Sequence, residues 1–165
     1  MITKETVFTK DTENKKITVV RSFDAPLADV WEAWTNPEIL DKWWAPKPYR
    51  AETREMNFTE GGRWIYAMIG PQGDSSLCKE EFRTIVTEES ITNKVSFCDE
   101  AYNDNPDFPL MYWNKGFAAN GDATTVNIEI NFDSEQDLQT IITMGFEEGF
   151  KMGLGNLDEL LSSRD

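Results

Sequence analysis

The 165-residue chain is 39% hydrophobic and 28% charged, which fits one globular domain able to bury roughly two-thirds of its unfolded surface. Its 30 acidic and 16 basic residues leave a formal charge of −14, which opposes nucleic acids and anionic membranes, since both are bound through clustered Lys and Arg. Histidine is absent and the cysteines are two, Cys78 and Cys98; His-based triads and His metal ligands are excluded, and a thiolate zinc site lacks donors.

The opening stretch, MITKETVFTKDTENKK, is polar and has no apolar core of a secretory signal, so a cytoplasmic protein with reduced, core-packed cysteines is expected. Residues 1–15 read as a flexible or edge segment ahead of a single domain over 16–163. No apolar run approaches the roughly 20 residues of a membrane span.

KITVVRSF, Lys16 to Phe23, alternates as a strand, with Ile17, Val19 and Arg21 on one face. Asp24 or Ala25 then caps a helix that Pro26 begins, and Leu27, Val30, Trp31 and Trp34 make its apolar side. Asn36-Pro37 repeats the device for a second short helix carrying Leu40, Trp43 and Trp44, which Pro46 and Pro48 end.

From Arg50 the period changes to two. Strands are expected over Arg50–Phe58, Arg63–Ile69, Cys78–Thr87, Lys94–Cys98, Leu110–Ala118 and Thr124–Phe132, separated by turn-rich segments such as Glu60-Gly61-Gly62 and Asn120-Gly121-Asp122. Connections this short make antiparallel neighbours. One long helix is expected from Ser134 to Ser163, with Ser134 as its cap and a stripe of Leu138, Ile142, Phe146, Phe150, Leu154, Leu157 and Leu161. The class is α+β: about seven curved antiparallel strands, two short helices after the first strand, and a final helix covering the sheet's apolar face. Such an arrangement encloses space between sheet and helix.

Three kinds of residue stand out against that frame. Gly145, Gly149 and Gly153 recur at four-residue spacing in the final helix, each costing about 1 kcal/mol relative to alanine in a helix interior. Either the helix backbone approaches a neighbour closely there, or the missing side chains leave room for a ligand. Trp64, Tyr66 and Met68, Trp113 and Phe117, and Phe146 and Phe150 are aromatic and sulfur-bearing groups that serve equally as core or as the wall of an apolar pocket. Lys115 shares the parity of Trp113 and Phe117, and Arg54 and Glu52 share that of Met56 and Phe58. These charges either pair or reach solvent, or they line the polar end of a cavity and hold a carbonyl or carboxylate. Acid/base catalysis through Glu52, Glu80, Tyr66 or Lys115 stays open as an alternative, although no spacing requires it. The acidic loops lack calcium-loop spacing and no glycine motif cradles a phosphate, so no metal or cofactor is expected.

The segments RSFDAPLADVWEAWTNPEILDKWWAP, MNFTEGGRW, IVTEESIT, NGDATTVNIEINF and GFEEGFKMGLGNLDELL resemble the START-like (SRPBCC) superfamily. Within it they are similar to the single-domain homologues of the activator of the ninety-kilodalton heat-shock chaperone's ATPase. The resemblance covers about residues 16–163 and rests most on Trp43-Trp44 before Pro46, Gly61-Gly62, and Gly149 four residues after Gly145. It implies the helix-grip fold, with Trp43 in the core and Trp44 at the border of a cavity. Phe150 stands where the family often has Trp, and Lys115 where it usually has an apolar residue. The ligand-binding set expected is Trp44, Arg54, Trp64, Tyr66, Met68, Trp113, Lys115, Phe117, Phe146, Gly149 and Phe150. The partner expected is a small hydrophobic or amphipathic molecule, bound without cofactor by a monomer or homodimer. A cavity enzyme of cyclase or hydrolase type and a co-chaperone that binds a chaperone or other protein are the alternatives.

Overall fold

The structure, a computed structural model, describes residues 5–163; residues 1–4 of the expected N-terminal segment lie outside the described residues. Val7–Asp11 forms β1, and Lys16–Phe23 forms β2. Two short helices follow, α1 (Leu27–Thr35) and α2 (Pro37–Trp43). Six strands come next: β3 (Arg50–Met56), β4 (Arg63–Ile69), β5 (Ser75–Val86), β6 (Ser90–Phe97), β7 (Met111–Asn120) and β8 (Ala123–Asn131). The described chain ends with α3 (Glu135–Thr143) and α4 (Phe146–Ser162).

All strands join one antiparallel eight-stranded sheet in the order β1-β2-β8-β7-β6-β5-β4-β3. The run from β3 to β8 is a meander, as short connections dictate, and β8 returns to pair with β2, placing Ile17 opposite Ile130 and Val19 opposite Ile128. These four side chains are at most 2% exposed and form the centre of the core beneath the helices. Arg21 shares that inner face and is buried because it reaches Asp158 of α4 at 3.4 Å, which ties the last helix to the sheet. No helix among the described residues is long and apolar enough to cross a membrane.

Local signals explain most helix ends. The Asn36 side chain accepts from the Glu38 N–H, and Ser134 accepts from the Asp137 N–H, so both expected caps form. At α1 neither Asp24 nor Ala25 caps: Pro26 takes the N-cap position and no side chain bonds the free amides.

The single helix expected over 134–163 is two. Gly145 has φ +90°, a left-handed conformation open to glycine at low cost, and it turns the chain between α3 and α4. Gly153 is different: a Cβ there would lie 3.2 Å from the Trp44 carbonyl oxygen, so α4 lays its backbone on the end of α2. Asn156, one turn of α4 further along, donates to the carbonyls of Ala45 (3.2 Å) and Trp43 (3.4 Å). It thereby satisfies acceptors that the end of α2 leaves unpaired.

Candidate functional site

Where α4 and the α3–α4 turn face β4 to β7, the packing leaves a cavity of about 230 Å³. The sheet contributes Tyr66 and Met68 from β4, Cys78 and Glu80 from β5, Val95, Ser96 and Phe97 from β6, and Met111 and Trp113 from β7. The other wall is Trp44 and Pro46 after α2, Ile141 of α3, Met144 and Gly145 of the turn, and Phe146, Gly149 and Phe150 of α4. The lining is therefore apolar and largely aromatic, with a few polar atoms at one side, the usual make-up of a small-molecule site.

The tryptophans of the α1–α2 pair hold this wall in place. Trp43 is 1% exposed and donates its indole N–H to the Ala33 carbonyl at 2.9 Å, locking α2 against α1. Trp44 packs edge-on against Trp43, Trp34 and Trp64 at ring separations of 5.2, 5.9 and 5.6 Å. Its indole N–H donates to the Tyr66 hydroxyl at 2.9 Å. Phe146 and Phe150 stack on α4 at 5.4 Å, and Trp113 meets both edge-on. The indole N–H of Trp113, a cavity-lining side chain, has no hydrogen-bond partner among the described residues.

Glu80 supplies the charge. It is 1% exposed, and its Oε1 accepts from Asn93 Nδ2 at 2.8 Å and lies 3.7 Å from the Lys115 ammonium. Burial raises the carboxyl above the ordinary glutamate range, and Lys115, Asn93 and Tyr66 offset part of the rise. Burial likewise lowers the Lys115 ammonium, and Glu80 restores part of the loss. The Tyr66 hydroxyl is raised well above its ordinary value by burial, and the Cys78 thiol is pushed up to about 12 by the same cause. A thiol so held is a poor nucleophile at neutral pH.

Of the ligand-binding set expected from the sequence, Trp44, Tyr66, Met68, Trp113, Phe146, Gly149 and Phe150 meet around the cavity. Four do not line it. Arg54 points to the protein surface and pairs with Glu100 at 3.0 Å, because a bulge between Thr53 and Glu55 breaks the alternation used to place it. Trp64 is buried beside the wall, stacked on Tyr66 at 4.1 Å with its N–H on Thr53. Phe117 packs between Trp31 and Trp34 on the α1 side. Lys115 is buried off the wall, paired with Glu80. Glu52 is exposed and bonds Arg50.

Glu80, named from the sequence only as an acid/base candidate, and Cys78 share the parity of buried Phe82 on β5, a signal that places both on the inner face. Ile141 and Met144 reach the cavity through the α3–α4 turn, which a continuous helical stripe conceals. Among the described residues no group of three or more Cys, Asp or Glu is placed to hold a metal ion.

The family profile described as "Activator of Hsp90 ATPase homolog 1-like protein" matches residues 24–162. No curated protein matches the chain. Among solved structures, protein Ms6760 from Mycobacterium smegmatis is similar at 25% identity, covering 98% of this chain and 99% of that one with a TM-score of 0.89. A protein from Arthrobacter aurescens is 29% identical, with 94% and 91% of the two chains covered and a TM-score of 0.89. The protein called AHSA1 from Silicibacter pomeroyi, at 15% identity over 91% and 99% of the chains and a TM-score of 0.72, shares the fold.

Proposed function

The chain belongs to the family of activator of Hsp90 ATPase homolog 1-like proteins, and from that premise we propose that it binds one small, largely apolar molecule in the cavity between sheet and C-terminal helices. One observation carries the reading: about 230 Å³ of space is lined by aromatic and aliphatic side chains, and the buried Glu80 is among the residues that line it. The size suits a compact ligand, since an engineered apolar cavity of about 150 Å³ takes up benzene and drug-sized sites begin near 300 Å³. Trp44, Tyr66, Met68, Trp113, Phe146, Gly149 and Phe150 are the contact surface in this reading, and Glu80 is its polar anchor.

Native mass spectrometry of the purified protein, compared with a Gly149→Leu variant, tests it. Gly149 lines the cavity, and a Cβ there meets nothing closer than Pro46 at 3.6 Å. A leucine therefore fits the helix and fills ligand space. The reading expects a stoichiometric small-molecule adduct, or uptake of added single-ring aromatics, in the parent and loss of both in the variant. Equal behaviour of the two proteins counts against it.

A catalytic use of the same site is the second reading, favoured by the raised carboxyl of Glu80 facing the cavity. Deuterium wash-in at the α-carbon of a bound ketone, abolished in the charge-free Glu80→Gln/Lys115→Met variant while binding persists, distinguishes a base from a mere anchor.

A further inference from the structure

The two charges at the inner side of the cavity are placed unequally. Glu80 lines the cavity; Lys115 does not, and is 3% exposed with its ammonium 3.7 Å from Glu80 Oε1. The same ammonium lies 5.9, 6.0 and 5.7 Å from the ring centroids of Trp34, Trp44 and Trp113. Aromatic faces carry the negative part of the ring quadrupole and attract cations, Trp most of all. This corner of the fold is thus organised around a positive charge, which the chain itself supplies.

Trp44 and Trp113 belong to the cavity wall as well, beside Tyr66. A molecule in the cavity therefore meets the negative member of the ion pair and electron-rich ring faces, while the positive member stands off the wall. A carboxylate ligand would meet like charge there. An alcohol would find an acceptor but contribute no charge. An ammonium would find both a counter-ion and aromatic faces, and the net charge of −14 favours the approach of cations.

We propose that the cavity, granted the small-molecule reading on which this rests, selects amines: an ammonium group seats on Glu80 beside Trp44, Tyr66 and Trp113, and Lys115 is the internal counter-ion with which it competes. This accounts for a lysine in the interior of a sheet, where an apolar side chain would pack without a desolvation cost. It also assigns Lys115 a role distinct from contact: it sets how strongly Glu80 attracts a ligand's charge.

The test is isothermal titration calorimetry of the full chain at pH 7 with three probes of matched shape, 2-phenylethylamine, 2-phenylethanol and phenylacetate. The amine is expected to bind tighter than the alcohol by about tenfold, with phenylacetate weakest. Lys115→Met, assayed in protein that circular dichroism shows to be folded, removes the competitor and is expected to tighten amine binding further without tightening alcohol binding. Glu80→Gln alone strands a buried cation and can fail to fold, so the charge-free Glu80→Gln/Lys115→Met variant serves as the control, in which amine and alcohol are expected to bind alike. Equal or weaker binding of the amine in the parent overturns the proposal and leaves the cavity reading standing. An amine preference that survives in the double variant, or a Lys115→Met protein with unchanged amine affinity, overturns it too. If none of the probes binds the parent, the cavity reading falls and the proposal with it.

Discussion

Gly153 and Trp44 meet backbone to backbone: a methyl group placed on Gly153 would lie 3.2 Å from the Trp44 carbonyl oxygen and 3.4 Å from that of Trp43. Neither carbonyl can retreat easily. The Trp44 N–H is bonded to Leu40, and Asn156 holds the Trp43 and Ala45 carbonyls. Gly153→Ala is therefore expected to destabilise by about 1 kcal/mol, overpacking outweighing the gain in helix propensity. Gly155, with nothing within 4 Å of an added Cβ, provides the contrast: Gly155→Ala should stabilise by about 1 kcal/mol. Urea midpoints of the two variants check both signs.

Gly145 fails to tolerate alanine for another reason. Its surroundings are open, but its φ of +90° places any Cβ in a strained backbone region. Gly145→Ala is expected to cost about 1–2 kcal/mol in a urea melt, and to shift the Trp113 environment through Phe146, which packs on it at 6.0 Å.

Breaking the interior ion pair is expected to be costly from either side. Lys115→Ala or Glu80→Gln leaves its partner charged and almost fully buried, with a loss of about 3–5 kcal/mol. The double Glu80→Gln/Lys115→Met variant should recover most of that loss. Chemical denaturation of the three proteins gives the coupling directly; additive losses would mean that the two side chains do not act as a pair.

Asp104 predicts a pH dependence. Partial burial alone would raise its carboxyl, but hydrogen bonds from Lys79 at 2.8 Å, Lys94 at 2.7 Å and Ser96 at 2.9 Å outweigh this and hold it well below the ordinary aspartate range. A depressed carboxyl stabilises the fold above its unfolded pKa of about 3.9, and that stability drains away as pH falls toward the folded value. Asp104→Asn should therefore be less stable than the parent at pH 7, and the gap should narrow steadily below about pH 4. Urea midpoints measured across that interval check it.

These features differ in how openly the sequence announces them. Asn36-Pro37 and Ser134 mark helix starts because a cap is a local bond between a side chain and an amide two or three residues on. Lys115 is legible as an inward charge because β7 alternates without interruption, buried Met111, Trp113, Lys115 and Phe117 falling on one face. Arg54 is misplaced by the same rule because the bulge at Thr53/Glu55 shifts the phase, and the small Ala51 is a weak marker of the buried face ahead of it. The division of the last helix is hidden because Ile142, Phe146 and Phe150 keep four-residue spacing across the turn, although Gly145 stands in plain view. β1, VFTKD, lies in the segment read only as flexible or edge, because an edge strand over one neighbour needs no buried face to announce it. That Glu80 and Lys115 belong together depends on register, β5 against β6 against β7, which alternation within each strand does not contain.

The measurement that tests the central claim most directly is a two-dimensional methyl and amide NMR titration with a single-ring aromatic amine. Ligand occupancy of the cavity predicts saturable shifts concentrated at Met68, Met111, Met144, Val95 and Gly149, which come from three strands, α4 and the α3–α4 turn and line the cavity together. It also predicts their disappearance in Gly149→Leu. Shifts confined to exposed groups such as Met152, or an unperturbed spectrum at saturating probe, would contradict it.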